Sequence, residues 1–477
     1  MKITGDFSSY GMPDVWDETV DVIIVGSGFA GLAAAAEAGA KGAKVAVLEK
    51  MPYFGGNSRI AGGGCCSWDS KLKLREKLDL GEDSPQLHTE DTLKGGAYYN
   101  DPLLVEIMVR GAPGGLDWLM DAGIEFDAVL HHLGAHSAAR GHHEINRSGK
   151  AMVEALYRQA EKCGADILLN SEVTRIWRED ATGPVLGLRY NRNNTEKNLR
   201  SLKGIVIASG GFAADAEMVL QNNPGLGKDY LCSNHKGATG EMLRYAKAIG
   251  ADTLHMEFIQ LFPCAAAKSG ALDRFALDSY SGAGFGAVYV NEKGLRFVNE
   301  LAGRDEVSNA QLRHQSKPTW AIFSKDTFDA LKTPSEILKQ GEASKRLTVG
   351  KTPEETAKRA GIEPLALAAT VNEHNAMIKN RSKDSFGKPV TAQMRLMENG
   401  PFYAVAQWPS VHFCMGGLRI NKDAQVLDIW GNRIPKLYAA GEACGGVHGA
   451  NRLAGNAITE CIVFGRIAGV NVTGTED

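Results

Sequence analysis

Short, unbroken apolar runs that end on glycine punctuate this chain. Residues 22–25, VIIV, form the first, β-branched as a strand buried on both faces requires. Gly26, Gly28 and Gly31 follow as G-x-G-x-x-G, then an Ala-rich segment of high helix propensity broken at Gly39 and Gly42. A second apolar run, Val45–Leu48, ends in Glu49. Strand, glycine turn, helix and strand predict a dinucleotide site. Gly26 allows the tight turn, Gly28 lets backbone approach a pyrophosphate, and Gly31 lets helix pack on strand. The helix N-terminus offers N–H groups to phosphate, and Glu49 can accept hydrogen bonds from a ribose.

The pattern continues with a glycine-rich loop over residues 51–64, MPYFGGNSRIAGGG, which predicts backbone passing close to a ligand. Residues 1–18 read as an irregular lead-in. Helices are predicted over 101–125 and 150–164, the first with Asp101 as N-cap and Pro102 in the first turn. Strands are predicted over 165–170 and 172–177, then a polar hairpin over 179–197 and a strand over 204–211 ending on Gly210 and Gly211. From about 257 to 413, strand-like runs (287–291, 319–323) mix with polar helices (353–360, 365–379) and no second dinucleotide motif occurs, which predicts an inserted domain. The last segment returns to strand and glycine: a strand over 437–440, Gly441-Glu442, and a helix beginning near Asn456. Two ends of the chain thus build one cofactor site.

Composition narrows the class. The chain has 477 residues, 44% hydrophobic and 23% charged, with a net charge of −3. Those figures describe a globular protein and argue against a nucleic-acid-binding surface. No apolar run approaches a membrane span, and the polar, acidic first twenty residues lack a secretory signal, so the expected compartment is cytoplasmic, or periplasmic if an export signal has been removed. Eight scattered cysteines form no C-x-x-C pair and no haem-attachment signature; adjacent Cys65 and Cys66 read as buried filler. Residues 131–144, HHLGAHSAARGHHE, carry five histidines at spacings that match no zinc pattern, so a polar loop at a pocket edge is expected and no metal.

The motifs GSGFAG, GGNSRIAGGG, SNHKGATGE, NELAGRD, MGGLRI and GEACGGVHGANRLAGNAI together resemble the soluble fumarate-reductase flavoprotein family. That family comprises the FAD portion of flavocytochrome c fumarate reductases, urocanate and methacrylate reductases and, more distantly, ketosteroid dehydrogenases. The resemblance covers residues 20–470. It implies an α/β, Rossmann-like FAD-binding domain (1–257 and 414–477) with an inserted α+β clamp (258–413). FAD would meet Gly26, Gly28, Ala30, Gly31, Glu49, Lys50, Asn57, Ser58, Gly62, Gly63, Gly64, Val173, Gly210, Gly211, Glu442, Asn456, Ala457 and Ile458. The family's covalent branch uses a His where this chain has Asn57-Ser58, so the FAD is expected to be non-covalent.

The resemblance also assigns chemistry. Arg304 matches the proton-donating arginine and Arg452, beside Gly455, the arginine that clamps a substrate carboxylate. A guanidinium suits carboxylate as a planar fork, but with a pKa above about 12 it needs a relay to act as an acid. Two family histidines that hold fumarate are replaced here by Phe262 and Phe413, although His412 beside the second is retained. Tyr280 and Ala283 stand where the family carries its relay acid and base. Losing two imidazole donors leaves a second carboxylate unpaired, which is costly. The expected reaction is therefore reduction of the C=C bond of a mono-enoate with an apolar or aromatic tail. Hydride would come from N5 of reduced FAD, the proton from Arg304, with Tyr280 as relay and Phe262 and Phe413 lining the tail pocket. The expected partners are the small-molecule enoate and a separate electron donor: a cytochrome, quinol-linked or flavin protein. A ketosteroid-type dehydrogenase and an electron-transfer subunit of a respiratory complex are the alternatives.

Overall fold

Five parallel strands occupy the centre of the computed structural model, in the order Arg433–Ala439, Thr195–Ile207, Glu18–Val25, Val45–Leu48, Ala165–Leu168. The structure describes residues 10–227, 230–313 and 317–474; the lead-in expected over residues 1–18 falls on residues 1–9 outside them and is otherwise irregular only as far as Asp17. The apolar run at 22–25 is buried throughout, as both-face coverage demands. Its strand begins earlier, at Glu18, because residues 18–20 pair with the polar start of Thr195–Ile207.

That partner strand replaces two expected elements. Ser171–Arg178 and Val185–Arg192 form the hairpin, and the arm expected to close it is the start of one 13-residue strand ending at Ile207. The polarity changes at Gly204, where the strand passes from solvent into the sheet; the ladder to Glu18–Val25 shifts register there, from Val20 opposite Ser201 to Val22 opposite Gly204, and then resumes.

The helix Phe29–Ala40 crosses between the first two strands. The C-terminal helix Asn456–Asn471 packs against it through Gly465 and Gly469, where a Cβ would fall 2.6 Å from the carbonyl oxygen of Ala30 and 2.4 Å from that of Ala34. This i, i+4 glycine pair lets the two helix backbones touch, so both N-termini open on the same space. In the helix Pro102–Asp121, Asp101 Oδ1 accepts from the backbone of Leu103 at 2.9 Å, the cap its sequence predicts.

A second, antiparallel sheet takes the order Val288–Val290, Thr319–Ser324, Phe402–Gln407, Thr348–Gly350; one face has its own apolar core around Val288, Ile322 and Phe402, and the other, with Phe323 and Phe328 stacked at 4.4 Å, joins a core shared with Cys66, Leu133 and Ala454. Two paired strands, Ile259–Phe262 and Ser410–Cys414, lead into and out of this region. Near them run the helices Arg274–Gly282 and Arg304–Arg313.

Candidate active site

The first arm of the cleft lies at the carboxyl ends of the parallel strands. Gly26 takes φ +102°, and a Cβ there would fall 2.4 Å from the carbonyl oxygen of Ala208. A Cβ on Gly31 would fall 1.9 Å from the carbonyl oxygen of Gly26, so glycine is what permits helix and turn to meet. Gly28 caps the helix without a side-chain acceptor, leaving N–H groups and the positive end of the dipole to the cleft. Ser58 Oγ accepts from the backbone N–H of Phe29 at 2.9 Å. Glu49, 7% exposed, accepts from Ser27 N–H and Oγ–H and, at 2.9 Å, from Met51 N–H. Lys50 Nζ is bound to Glu241 at 2.8 Å and to Thr239 Oγ1 at 2.7 Å. Gly26, Gly28, Ala30, Glu49, Lys50, Asn57, Ser58, Val173, Gly210 and Glu442 all line this arm.

The second arm joins the first at Phe29, Asn57, Ser58 and Glu442 and is walled by Gly62, Gly64, Phe262, Tyr280, Arg304, His412, Phe413, Arg452, Gly455, Ala457 and Ile458. Four residues expected on the cofactor do not line either arm. Gly31 and Gly211 make room for packing; a Cβ on Gly211 would fall 2.7 Å from Glu442 Oε1. Gly63 turns at φ +65° over the Glu144 side chain. The Asn456 side chain faces inward, accepting from His88 Nε2 and donating to Thr92 Oγ1, each at 3.0 Å.

Arg304 and Arg452 are 7% and 4% exposed. Arg304 Nη1 donates to Gln260 Oε1 at 3.0 Å and Arg452 Nη1 to the carbonyl oxygen of Leu453 at 3.1 Å; both Nε atoms are buried without a partner. Neither forms an ion pair with a carboxylate among the described residues. Burial, aided by the charge of Arg304, pulls the Arg452 pKa down to about 9. Each guanidinium lies against an aromatic face: Arg304 Cζ is 4.9 Å from the Phe262 ring centroid and 4.7 Å from that of Tyr280, and Arg452 Cζ is 4.4 Å from that of Phe413. Such faces attract a cation while excluding water. Burial raises the Tyr280 pKa against the pull of Arg304, and holds His412 well below its usual value, with Arg304 and Arg452 adding to the effect. His412 is therefore a neutral imidazole, its Nδ1 at 2.8 Å from Ser233 Oγ.

Adjacent His412 and Phe413 both face the cleft, which simple strand alternation forbids. Gln260 pairs with Phe413 but Leu261 with Val411, so His412 is the extra residue of a β-bulge that turns both side chains inward. Gln260, unmarked by any motif, ties the two arginine segments together: its Nε2 donates to Asn451 Oδ1 at 2.6 Å and to the carbonyl oxygen of Arg452 at 2.7 Å. The histidine-rich loop reaches the edge of the cleft at Leu133 and His143, as expected, but its histidines are packed inside the protein rather than set in water. His131, His136, His142 and His143 are buried, and Arg140, fully buried, pairs with Asp83 at 2.8 Å and with Asp91. The apolar positions that interrupt the loop gave no sign of those distant partners.

A glycine cradle with a carboxylate at the end of the next strand fits an adenine dinucleotide. The opening from that cradle to the two arginines leaves room for the reactive ring of such a cofactor beside an anionic substrate. These features define a dinucleotide-dependent oxidoreductase. Residues 21–458 match the profile described as FAD binding domain, and the chain belongs to that family, with FAD as its cofactor.

The chain is 35% identical over 458 residues to the NADH:fumarate oxidoreductase of Klebsiella pneumoniae (strain 342), covering 96% of this chain and 48% of that one, so it spans about half the length of that relative. It is 34% identical over 468 residues to the urocanate reductase of Eggerthella lenta, covering 96% and 75%. Among solved structures, the open conformation of a flavocytochrome c3 fumarate reductase superposes with a TM-score of 0.73 at 34% identity, covering 96% of this chain and 78% of that one. Among the described residues no helix is long and apolar enough to cross a membrane.

Proposed function

We propose that the protein reduces the C=C bond of an α,β-unsaturated monocarboxylate with an apolar or aromatic tail. The observation that carries this reading is the pair of buried guanidiniums, Arg304 and Arg452, on one cleft, neither held in an ion pair by a carboxylate among the described residues and each with a buried Nε left unpartnered. A buried charge without a partner is costly and is retained where a ligand supplies the counter-charge. Arg452 holds the carboxylate as a fork, and Arg304 polarises it and gives its proton to the α-carbon. Bound FAD, once reduced, supplies the hydride. Tyr280, against Arg304, reloads that proton, and Gln260 keeps the two arginines in register. Phe262 and Phe413 line the space a second carboxylate would need, where they offer it no donor.

The FAD is non-covalent in this reading, because Asn57 and Ser58 stand where the covalent branch places its histidine. Residues 258–413 act as a clamp over 1–257 and 414–477, and a separate redox protein delivers the electrons. A ketosteroid substrate fits less well, since a neutral ketone leaves Arg452 without a counter-charge.

Anaerobic reoxidation of reduced viologen by the FAD-loaded protein tests the proposal, with fumarate, methacrylate, cinnamate, urocanate and an enone steroid offered in parallel. Turnover with a mono-enoate and none with fumarate is expected. Faster turnover with fumarate than with any mono-enoate overturns it.

A further inference from the structure

Of the five histidines in the loop that the proposed chemistry leaves unused, His143 alone lines the cleft. It is 8% exposed, and its Nδ1 is buried with no hydrogen-bond partner. The strand Gly64–Cys66 pairs with Gly141–Glu144 so that Gly64 lies opposite His143 and Cys66 opposite Gly141. Directly opposed residues project to the same face, and so do residues two apart on one strand. The His143 ring therefore covers the place a side chain at Gly64 would take; a Cβ there would fall 2.7 Å from its Nε2. Cys66, two residues on and on the same face, donates its Sγ–H to the carbonyl oxygen of Ala454 at 3.0 Å, beside Arg452. Two residues of strand set these two positions about 7 Å apart along the same face. The intervening wall is apolar, with Leu133, Leu272 and Leu277.

Burial, with His131 at 4.3 Å between ring centroids and the charge of Arg147 behind it, keeps His143 a neutral imidazole. A neutral imidazole offers one donor and one acceptor and no charge. It suits a hydroxyl, which is also both donor and acceptor, and gives little to a second anionic group.

We propose that His143 hydrogen-bonds the distal end of the substrate's tail, and that the preferred substrate is an arylpropenoate bearing a hydroxyl group on the ring opposite its carboxylate arm. This deepens the mono-enoate reading above and rests on it. Arg452 then holds the carboxylate and His143 the hydroxyl, on one cleft.

The test compares kcat/KM of the FAD-loaded enzyme for 4-hydroxycinnamate and 4-methylcinnamate, which match in shape and differ in the hydroxyl. A preference of about tenfold or more for the hydroxylated compound is expected, because a site built around a hydroxyl penalises its absence. His143→Phe should shrink that preference, read as the ratio of the two kcat/KM values, to about threefold or less, and His143→Gln should retain most of it. Equal use of both compounds by the wild-type enzyme overturns the role of His143 while leaving mono-enoate reduction standing. An unchanged preference in His143→Phe also overturns it. Failure to reduce any mono-enoate removes both readings together.

Discussion

Arg452→Met exchanges a buried cation for an apolar chain of similar length and should make the protein more stable while disabling it. The site pulls the Arg452 pKa from 12.5 to about 9, through burial first and the charge of Arg304 second. At about 1.4 kcal/mol per pH unit the charged side chain costs the fold on the order of 5 kcal/mol. Water entering the cleft leaves roughly 3 kcal/mol as the working figure. The folded state holds this proton less tightly than the unfolded chain, so the cost is full below about pH 9 and fades only above it. A chain of 477 residues unfolds with an entropy near 1 kcal/mol/K, so removing the charge should raise Tm by about 3 °C. Turnover moves the other way. Two charge-assisted hydrogen bonds to a carboxylate are worth roughly 3–6 kcal/mol, and their loss lowers kcat/KM by about 10²–10⁴-fold. Thermal melts of the FAD-loaded protein and viologen-coupled turnover with a mono-enoate read the two effects. A saturating mono-enoate should raise the Tm of the wild type and leave that of the variant unchanged. A variant that melts several degrees lower, or turns over within tenfold of wild type, refutes the view of Arg452 as a cation kept for a ligand.

Two more outcomes follow from the same cleft. Arg304→Ala removes the proposed acid and the partner of Gln260 Oε1; kcat should fall by about 10²–10⁴-fold while the absorbance spectrum shows an unchanged flavin content. Glu442 has its pKa raised from 4.5 to about 7, by burial first. Its contribution is fully present below about pH 4.5 and is lost as pH rises through about 7, a change of about 2–3 kcal/mol. Glu442→Gln should therefore gain about 2–3 °C in Tm on wild type between pH 5 and pH 8, and parallel melting curves across that range would refute the assignment.

What could be read from the chain alone was what neighbouring residues decide. The run from residue 22 to Glu49 carries its strand, turn and helix signals within a few positions of one another, and the close approaches at Gly26 and Gly31 bear out the steric role of those glycines. Arg304 and Arg452 stood out only through the motifs around them; nothing local tells a buried guanidinium from a surface one. The features missed depend on partners far along the chain. Gln260 gains its place from Asn451 and Arg304, and the approach of the two long helices from Gly465 and Gly469 meeting Ala30 and Ala34. The strand Thr195–Ile207 reads as two elements because its polarity changes midway, where its outer partner changes from Val185–Arg192 to Arg433–Ala439 while Glu18–Val25 runs beside both halves. Arg140 lay unread in its histidine loop because Asp83 and Asp91, which neutralise it, lie about fifty residues earlier.

The bulge at His412 makes the specificity of the cleft a matter of phase as well as of residue type. Without the extra residue, alternation would turn one of His412 and Phe413 away from the cleft and leave the other. Loss of a single codon there would thus trade an imidazole wall for a phenyl wall, or remove one of them, with the ladder to Ile259–Phe262 otherwise preserved. A lineage could change what this enzyme admits by a one-residue deletion, a route that comparison of aligned substitutions alone would overlook.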